Sequence, residues 1–188
     1  GRTLKLYLER GAQYLVDKEL QKGMERYGAS AGEVIVMDPK TGGILAMASL
    51  PSYDPLTFNQ FDASLYKNPS VANSYEPGST FKVLVMAAAF NEGVVKETDQ
   101  CEICSEPYQI GKYFIKTWNN EYKENGTPES IIVHSDNVGM VWTQQRLGGE
   151  KMLEYIKKFG FGAKTGVDLQ EEITPSLRTK WGDIDYAT

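Results

Sequence analysis

A serine and a lysine stand three positions apart, as Ser79 and Lys82, in the stretch YEPGSTFKVLVMAAAF at residues 75–90. Residues three apart on a helix lie on one face, so the hydroxyl and the amine are predicted to share one space. The apolar residues that follow predict a helix over 79–91 that is buried on every side. Burial at the positive end of a helix lowers the pKa of a lysine. The pair therefore suits a serine nucleophile with a lysine base, although a capping serine followed by a lysine that reaches solvent explains it as well.

A second polar group occurs in HSDNVGM, where Ser135, Asp136 and Asn137 form a tight turn at the start of a predicted helix. A serine hydroxyl can relay a proton to a leaving group, and an asparagine amide can hold a substrate carbonyl and a lysine at once. All three residue types are also good helix caps, so an ordinary structural turn is the alternative. The combination of S-x-x-K with S-D-N is associated with β-lactamases and penicillin-binding proteins.

The chain resembles the transpeptidase domain of class B penicillin-binding proteins, and the resemblance covers nearly the whole chain in the family's order. The matching segments are VIVMDPKTGGILAMASLPSYDP, YEPGSTFKV, HSDNVGM and KKFGFGAKTGVDL. The form SDNVGM favours the division-type members of the family over the elongation type. The resemblance implies a partial transpeptidase domain over residues 1–188. Its fold would be α+β, the α/β sandwich that penicillin-binding proteins share with serine β-lactamases.

By this resemblance Ser79 is the acylated nucleophile, Lys82 its general base, Ser135 a proton relay and Asn137 the residue that binds the peptide carbonyl of the substrate. The implied reaction is D,D-transpeptidation. Ser79 attacks the penultimate D-Ala carbonyl of a peptidoglycan stem peptide, and an amine of a neighbouring stem resolves the acyl-enzyme. β-Lactams would acylate the same serine. Asp136 corresponds to a variable position and is given no role.

The resemblance also implies a cellular setting. The partners would be stem peptides ending in D-Ala-D-Ala, β-lactam antibiotics and proteins of a cell-wall synthesis or division complex, with no cofactor and no metal. The catalytic domain would lie outside the bacterial cytoplasmic membrane, on an anchor that is not in this chain.

The family has a third motif, a Lys-Thr/Ser-Gly strand, and the sequence contains that tripeptide twice, at 40–42 and 164–166. The first lies in a predicted hairpin turn. The second follows a glycine-rich helix exit only 27 positions after Asn137, from 164 − 137. We expect neither to be the catalytic strand, so the C-terminal strands and helix of the fold would be missing. The fragment alone would then be poorly active, with an exposed strand edge and exposed apolar helix faces.

The sequence leaves two other functions open. A class A β-lactamase would need a deacylating glutamate in an E-x-x-L-N pattern, and LQEEITPSL offers Glu171 and Glu172 without it. A non-catalytic β-lactam sensor or scaffold domain is the other alternative.

Composition excludes some classes of protein. The formal net charge is −5 and no cluster of Lys and Arg occurs, which argues against nucleic-acid binding. The longest apolar run is too short to span a bilayer. Cys101 and Cys104 could be free thiols, a local disulfide or half of a metal site, but with His134 as the single histidine a zinc site would lack ligands.

The remaining pattern predicts a mixture of helices and one principal hairpin. Trp118, Trp142 and Trp181 are predicted to serve in packing rather than as platforms for a ligand. The predicted elements are a helix over 12–26 that stops at Gly28, a hairpin around DPKTGG, an irregular segment over 51–78, short strands and turns over 94–127, two helices on either side of Ser135, and an amphipathic helix over 150–162.

Overall fold

The computed structural model describes residues 3–174 and 176–177, and these divide into two compact units. The four predicted site residues all belong to the second unit. The first unit comprises residues 3–74 and 166–173, and the second comprises residues 75–165, 174, 176 and 177. The assignment of the whole chain to one transpeptidase domain stays a prediction.

The first unit is built on a long helix and the predicted hairpin. Helix α1 (Arg10–Tyr27) ends at Gly28, whose φ of 60° is the left-handed conformation that favours glycine. Strands β1 (Gly32–Met37) and β2 (Ile44–Leu50) pair antiparallel. Both elements were predicted at these places.

The first Lys-Thr-Gly tripeptide forms the turn of that hairpin. The Asp38 carboxylate accepts hydrogen bonds from the backbone N–H of Lys40 at 3.0 Å and from the Thr41 hydroxyl at 2.7 Å. Gly42 supplies the left-handed position at φ 73°. The prediction that this tripeptide is a turn is confirmed.

The segment predicted to be irregular contains three short helices, so that prediction was partly wrong. They are two 3₁₀ helices, Pro55–Gln60 and Ala63–Tyr66, and α2 (Pro69–Ala72). Each begins at an Asp or Asn whose side chain accepts a backbone N–H two residues on. Helices of four to six residues are too short to show a 3.6-residue apolar period, and only their caps could have revealed them.

The second unit is mainly helical, and its elements lie within a few residues of the predicted ones. One departure concerns the helix after Ser79, which is not buried all round because Val83 is 56% exposed. The elements are a 3₁₀ turn Gly78–Phe81, α3 (Lys82–Asn91), β3 (Tyr108–Ile110), β4 (Tyr113–Ile115), α4 (Pro128–Val133), α5 (Asn137–Leu147) and α6 (Gly149–Lys158).

The core of the second unit packs α3 against α4, α5 and α6. It includes Val85, Met86, Ala88, Ala89, Ile131, Val138, Trp142, Leu147 and Tyr155. Since α3 carries Lys82 and the start of α5 carries Asn137, this packing fixes the relative position of the two polar motifs.

The cysteines and tryptophans separate into buried and exposed groups. Cys101 and Cys104 form a buried disulfide, one of the alternatives left open by the sequence. Trp142 is buried, as a packing role predicts, but Trp118 is 75% exposed, so the predicted packing role was wrong for Trp118. Trp181 lies outside the described residues.

Among the described residues, none of the helices combines the length and the apolar character that crossing a membrane requires.

Candidate active site

Ser79 lies in the 3₁₀ turn Gly78–Phe81, and Lys82 begins α3 directly after it. In a 3₁₀ turn the side chains at i and i+3 eclipse one another. Ser79 and Lys82 accordingly line one groove, as their spacing predicted. Gly78 enters the turn at φ 58°. Ser79 is exposed, whereas Lys82 is only partly exposed.

The Ser135 turn connects α4 to α5 through a left-handed residue. Ser135 has φ 53°, a conformation that costs a residue with a side chain about 1–2 kcal/mol. Asp136 follows as the N-cap of α5, and its carboxylate accepts the backbone N–H groups of Val138 at 2.8 Å and Gly139 at 3.1 Å. Asp136 is 8% exposed, so this cap is part of the interior.

Gly139 lets α5 approach α4 closely. A Cβ atom added at Gly139 would overlap the side chain of Ile131, which is fully buried on α4. The approach of the two helices sets the short span that Ser135 has to bridge, so the left-handed turn and the glycine belong to one arrangement.

The side chains of the two motifs meet in a continuous set of hydrogen bonds. Lys82 Nζ donates to the backbone carbonyl of Ser135 at 2.7 Å, to Ser135 Oγ at 3.0 Å and to Asn137 Oδ1 at 2.6 Å. The Ser135 hydroxyl donates to Ser79 Oγ at 2.8 Å. The amine of Lys82 is thus linked to the hydroxyl of Ser79 through Ser135.

Asn137 is held at both ends of its amide. Its Oδ1 accepts from Lys82, and its Nδ2 donates to the backbone carbonyl of Lys116, just after β4, at 2.7 Å. The second hydrogen of Nδ2 is the one that a substrate carbonyl could use. Sequence reasoning did not find Lys116, because its contribution is a backbone carbonyl that every residue type carries.

Burial lowers the pKa of Lys82, and the negative charge of Asp136 partly opposes that shift. The direction favours the neutral amine, which can accept a proton. In its charged form the ammonium donates to three acceptors. In its neutral form it can keep two of these bonds and accept from the Ser135 hydroxyl, which in turn can accept from Ser79.

Two cavities adjoin the hydroxyl pair. The first, here called the Ser79 groove, has a volume of about 360 Å³, within the range of ligand-binding sites. It is lined by Gly78, Ser79, Phe81, Lys82, Val85, Phe114, Ile115, Lys116, Asn137, Met140, Gln144 and Met152.

The second, here called the His134 pocket, has a volume of about 210 Å³ and a more polar wall. It is lined by Thr117, Trp118, Asn119, Glu121, Lys123, Ser130, Val133, His134, Ser135 and Asp136. Ser79 lines the first cavity and Ser135 lines the second.

The second Lys-Thr-Gly tripeptide lies in the loop after α6. Lys164 is exposed and Gly166 has φ 81°, which fits the glycine-rich helix exit that the sequence predicted. Its exclusion from the catalytic machinery stays a prediction.

Comparison with known proteins places the chain in a family. The family model described as "Penicillin binding protein transpeptidase domain" matches residues 32–188, so the chain belongs to the penicillin-binding protein transpeptidase family. The predicted family is thereby confirmed.

Three relatives are similar over the full length of the chain. Stage V sporulation protein D of Bacillus subtilis is 35% identical over 100% of this chain and 30% of its own length. The probable peptidoglycan D,D-transpeptidase PenA of Neisseria gonorrhoeae is 32% identical over 100% of this chain and 32% of its own. Penicillin-binding protein PbpB of Mycobacterium tuberculosis is 30% identical over 100% and 28%. The chain therefore spans about a third of the length of these relatives.

The fold is also found in a solved structure. A peptidoglycan glycosyltransferase from Burkholderia ambifaria superposes with a TM-score of 0.85 at 22% identity, covering 98% of this chain and 54% of that one. Together with the family match, this confirms the predicted α/β transpeptidase fold.

Proposed function

We propose that this chain is part of a peptidoglycan D,D-transpeptidase in which Ser79 is the nucleophile. The observation that carries the proposal is the line of hydrogen bonds from Lys82 through Ser135 to Ser79, at 3.0 Å and 2.8 Å. A weak nucleophile such as a serine hydroxyl needs a neighbouring base within hydrogen-bonding reach, and this line supplies one.

In the acylation step, neutral Lys82 takes the proton of Ser135 while Ser135 takes the proton of Ser79. The Ser79 oxygen attacks the carbonyl carbon of the penultimate D-Ala, and a C–O bond forms. When the tetrahedral intermediate collapses, the C–N bond to the terminal D-Ala breaks. The proton held by Lys82 returns through Ser135 to the leaving nitrogen, so the base during attack becomes the acid during collapse of the tetrahedral intermediate.

Asn137 contributes by position. It accepts a bond from Lys82 and is anchored to the backbone at Lys116, so it holds the amine toward Ser135. Its remaining amide hydrogen is directed by that anchoring, and in the proposal it donates to a peptide carbonyl of the substrate.

β-Lactams would react by the same attack, because their strained amide presents a carbonyl to the same serine. The leaving nitrogen stays attached to the adduct through the opened ring. The stem-peptide substrate, the location outside the cytoplasmic membrane and the partners in a division complex, all expected from the resemblance, belong to this proposal.

The test uses the full-length gene product and a fluorescent penicillin. We expect one adduct per chain, mapped by peptide mass spectrometry to Ser79, and no adduct in Ser79→Ala. Ser105→Ala, an exposed serine of the same unit, is the matched control and should label like wild type. Labelling that persists in Ser79→Ala would remove Ser79 from the role of nucleophile.

A second readout separates the other functions. Release of D-alanine from a peptide ending in D-Ala-D-Ala, with a slowly decaying penicillin adduct, is the result expected of a transpeptidase. Rapid turnover of a chromogenic cephalosporin would instead support a β-lactamase. Labelling by penicillin without release of D-alanine would support a β-lactam sensor.

A further inference from the structure

The Ser79 groove continues along α5 beyond the residues that the proposed chemistry uses. Asn137, Met140 and Gln144 all line it, and their spacing of three and then four residues places them on one face of the helix. Because an α-helix rises about 1.5 Å per residue, Gln144 lies about 10 Å along the axis from Asn137. The groove therefore has room for more of a substrate than the reacting carbonyl.

Gln144 brings a buried polar side chain to this groove. It is 8% exposed, and no hydrogen bond joins its side-chain amide to the described residues. Among those residues, the enclosed polar side-chain atoms without a partner belong to Ser70, Thr117 and Tyr122. The Gln144 amide is not one of them, so it is unpaired but accessible, and the groove that it lines gives that access. An unpaired buried amide is costly, so a ligand or a water that completes it is favoured.

The neighbouring glutamine on α5 has a different environment. Gln145 is exposed, and its Nε2 donates to the Tyr108 hydroxyl at 2.9 Å. Consecutive residues of a helix do not face the same way, so the two amides meet different surroundings. The amide of Gln145 is paired within the protein, whereas the amide of Gln144 is left for whatever enters the groove.

Most of the remaining wall of the groove is apolar. The charged residues that line it are Lys82 and Lys116, and both adjoin Asn137. A charged group that reached Gln144 would lie in apolar surroundings without an opposite charge, which is unfavourable, whereas a neutral polar group would not carry that cost. The apolar residues of the wall are Phe81, Val85, Phe114, Ile115, Met140 and Met152.

The length of the groove decides which part of the donor peptide can reach Gln144. The penultimate D-Ala, whose carbonyl Ser79 attacks in the proposed reaction, carries a single methyl group and cannot span the two helical turns from Asn137. The residue that precedes the two D-Ala residues can carry a longer side chain. Its methylene groups would contact Met140 and Met152, and only its end would meet the amide.

We propose that Gln144 determines which donor peptide the Ser79 groove accepts, by pairing with a neutral amide at the end of an aliphatic side chain. Gln144 Oε1 accepts the N–H of that amide, and Nε2 donates to its carbonyl. The inference rests on the proposed function, and it adds to it the chemistry of the substrate side chain.

The experiment compares two donor peptides on the full-length gene product. Both have an Nα-acetylated residue before D-Ala-D-Ala. That residue is Nε-acetyl-lysine in the amide donor and 2-aminononanoic acid, whose side chain has the same length without an amide, in the alkyl donor. Release of D-alanine gives kcat/KM for each, and the readout is the ratio of amide donor to alkyl donor. Both rates come from one preparation, so a loss of folded protein cancels in the ratio.

Wild type is expected to favour the amide donor about tenfold, because its two hydrogen bonds form with groups that are otherwise left unpaired. Gln144→Leu should lower the ratio at least about tenfold, since the amide of the donor would then be buried without a partner. Gln145→Leu is the matched control, because it removes an adjacent glutamine that is bonded to Tyr108, and it should leave the ratio within about twofold of wild type.

A second variant tests the neutral character of the site. Gln144→Glu keeps the shape of the side chain and introduces a carboxylate that can pair with an ammonium. A third donor, with unmodified lysine before D-Ala-D-Ala, should therefore gain about tenfold over the amide donor in Gln144→Glu relative to wild type.

A wild-type ratio near one, or an unchanged ratio in Gln144→Leu, would overturn the inference. Equal falls in Gln144→Leu and Gln145→Leu would also overturn it, because the effect would then not depend on the groove. The absence of any gain for the lysine donor in Gln144→Glu would contradict the direct contact. Failure of the wild type to release D-alanine from any donor would overturn the proposed function itself, so the two failures are told apart.

Discussion

The two serines of the site reach each other from opposite kinds of backbone. Ser79 lies in the 3₁₀ turn Gly78–Phe81 with a φ outside the left-handed region, and it is exposed. Ser135 has a left-handed φ of 53° and stands between two helices that approach through Gly139, next to the buried cap Asp136. Strain is thus concentrated at Ser135, whereas Ser79 is left accessible.

This difference in backbone and exposure fits the different roles proposed for Ser79 and Ser135. A nucleophile has to meet substrate and change its bonding, so it gains from exposure. A relay has to stay within hydrogen-bonding distance of both its partners, so it gains from a rigid turn whose strain the surrounding packing offsets. Variants of the Ser135 turn should therefore alter both stability and proton transfer, whereas variants at Ser79 should alter the chemistry alone.

The largest expected effect comes from deleting the relay. Ser135→Ala should slow acylation by a fluorescent penicillin about 10²–10⁴-fold, the usual contribution of a positioned acid or base, while the adduct still maps to Ser79. Stopped-flow or quenched labelling measures the rate. Ser130→Ala, whose hydroxyl bonds the carbonyl of Thr127, controls for loss of a nearby serine. A rate within threefold of wild type would show that Ser135 is not on the proton path.

The next effect concerns the close approach of the helices. Gly139→Ala should lower the free energy of unfolding by about 1–3 kcal/mol, because the new methyl overlaps Ile131 in a packed core. Denaturant titration measures the change.

Gly23→Ala is the matched control, since it lies within α1 where an added Cβ meets nothing within 4 Å. It should be neutral or stabilising by about 0.5–1 kcal/mol. Equal outcomes for the two alanine variants would mean that the α4–α5 approach is not tight.

A smaller effect is expected at the buried cap. Asp136→Ala removes both hydrogen bonds to the N-terminus of α5 and should cost about 1–2 kcal/mol of stability. Asp62→Ala removes a single cap bond from a short exposed helix, Ala63–Tyr66, and should have a smaller effect. Melting curves of the two variants provide the comparison, and a larger loss in Asp62→Ala would contradict it.

The smallest effect is a shift in the pH dependence of acylation. Burial lowers the pKa of Lys82 and Asp136 opposes the shift, so Asp136→Asn should lower that pKa further. Acylation requires the neutral amine and rises as pH passes the pKa, so the rising limb of the pH–rate profile should move to lower pH. Asp99→Asn, which loses a surface ion pair with Arg146, should leave the limb in place. A shift to higher pH in Asp136→Asn would contradict the electrostatic assignment.

Much of the fold could be predicted because its signals are local. Gly28 ended α1, the DPKTGG turn fixed the β1–β2 hairpin, and the apolar period of α6 marked where that helix begins. Its end at Lys158 came four residues before the predicted bound of 162. The short helices after Asp54, Asp62 and Asn68 were missed, since each is shorter than the period that reveals a helix.

The four predicted site residues were found from their sequence motifs, and the structure brings their side chains into one set of hydrogen bonds. The resemblance implied that Ser135 is a proton relay, but the order of the hydrogen bonds from Lys82 through Ser135 to Ser79 could not be predicted. That order depends on the packing of α3 against α5 and on a left-handed serine. The Asn137 bond to Lys116 was equally invisible, since it ends on a backbone carbonyl. The exposed position of Trp118 was misjudged because a residue type does not tell on which side of a loop it stands.

The central claim is that Lys82 acts on Ser79 through Ser135, and a double-mutant cycle tests it most directly. Acylation rates are measured for wild type, Lys82→Met, Ser135→Ala and the double variant, after melting curves establish that each is folded. Residues that act in one line are not additive, so the double variant should be no slower than the slower single variant. If the two losses multiply instead, Lys82 and Ser135 act independently and the relay does not exist.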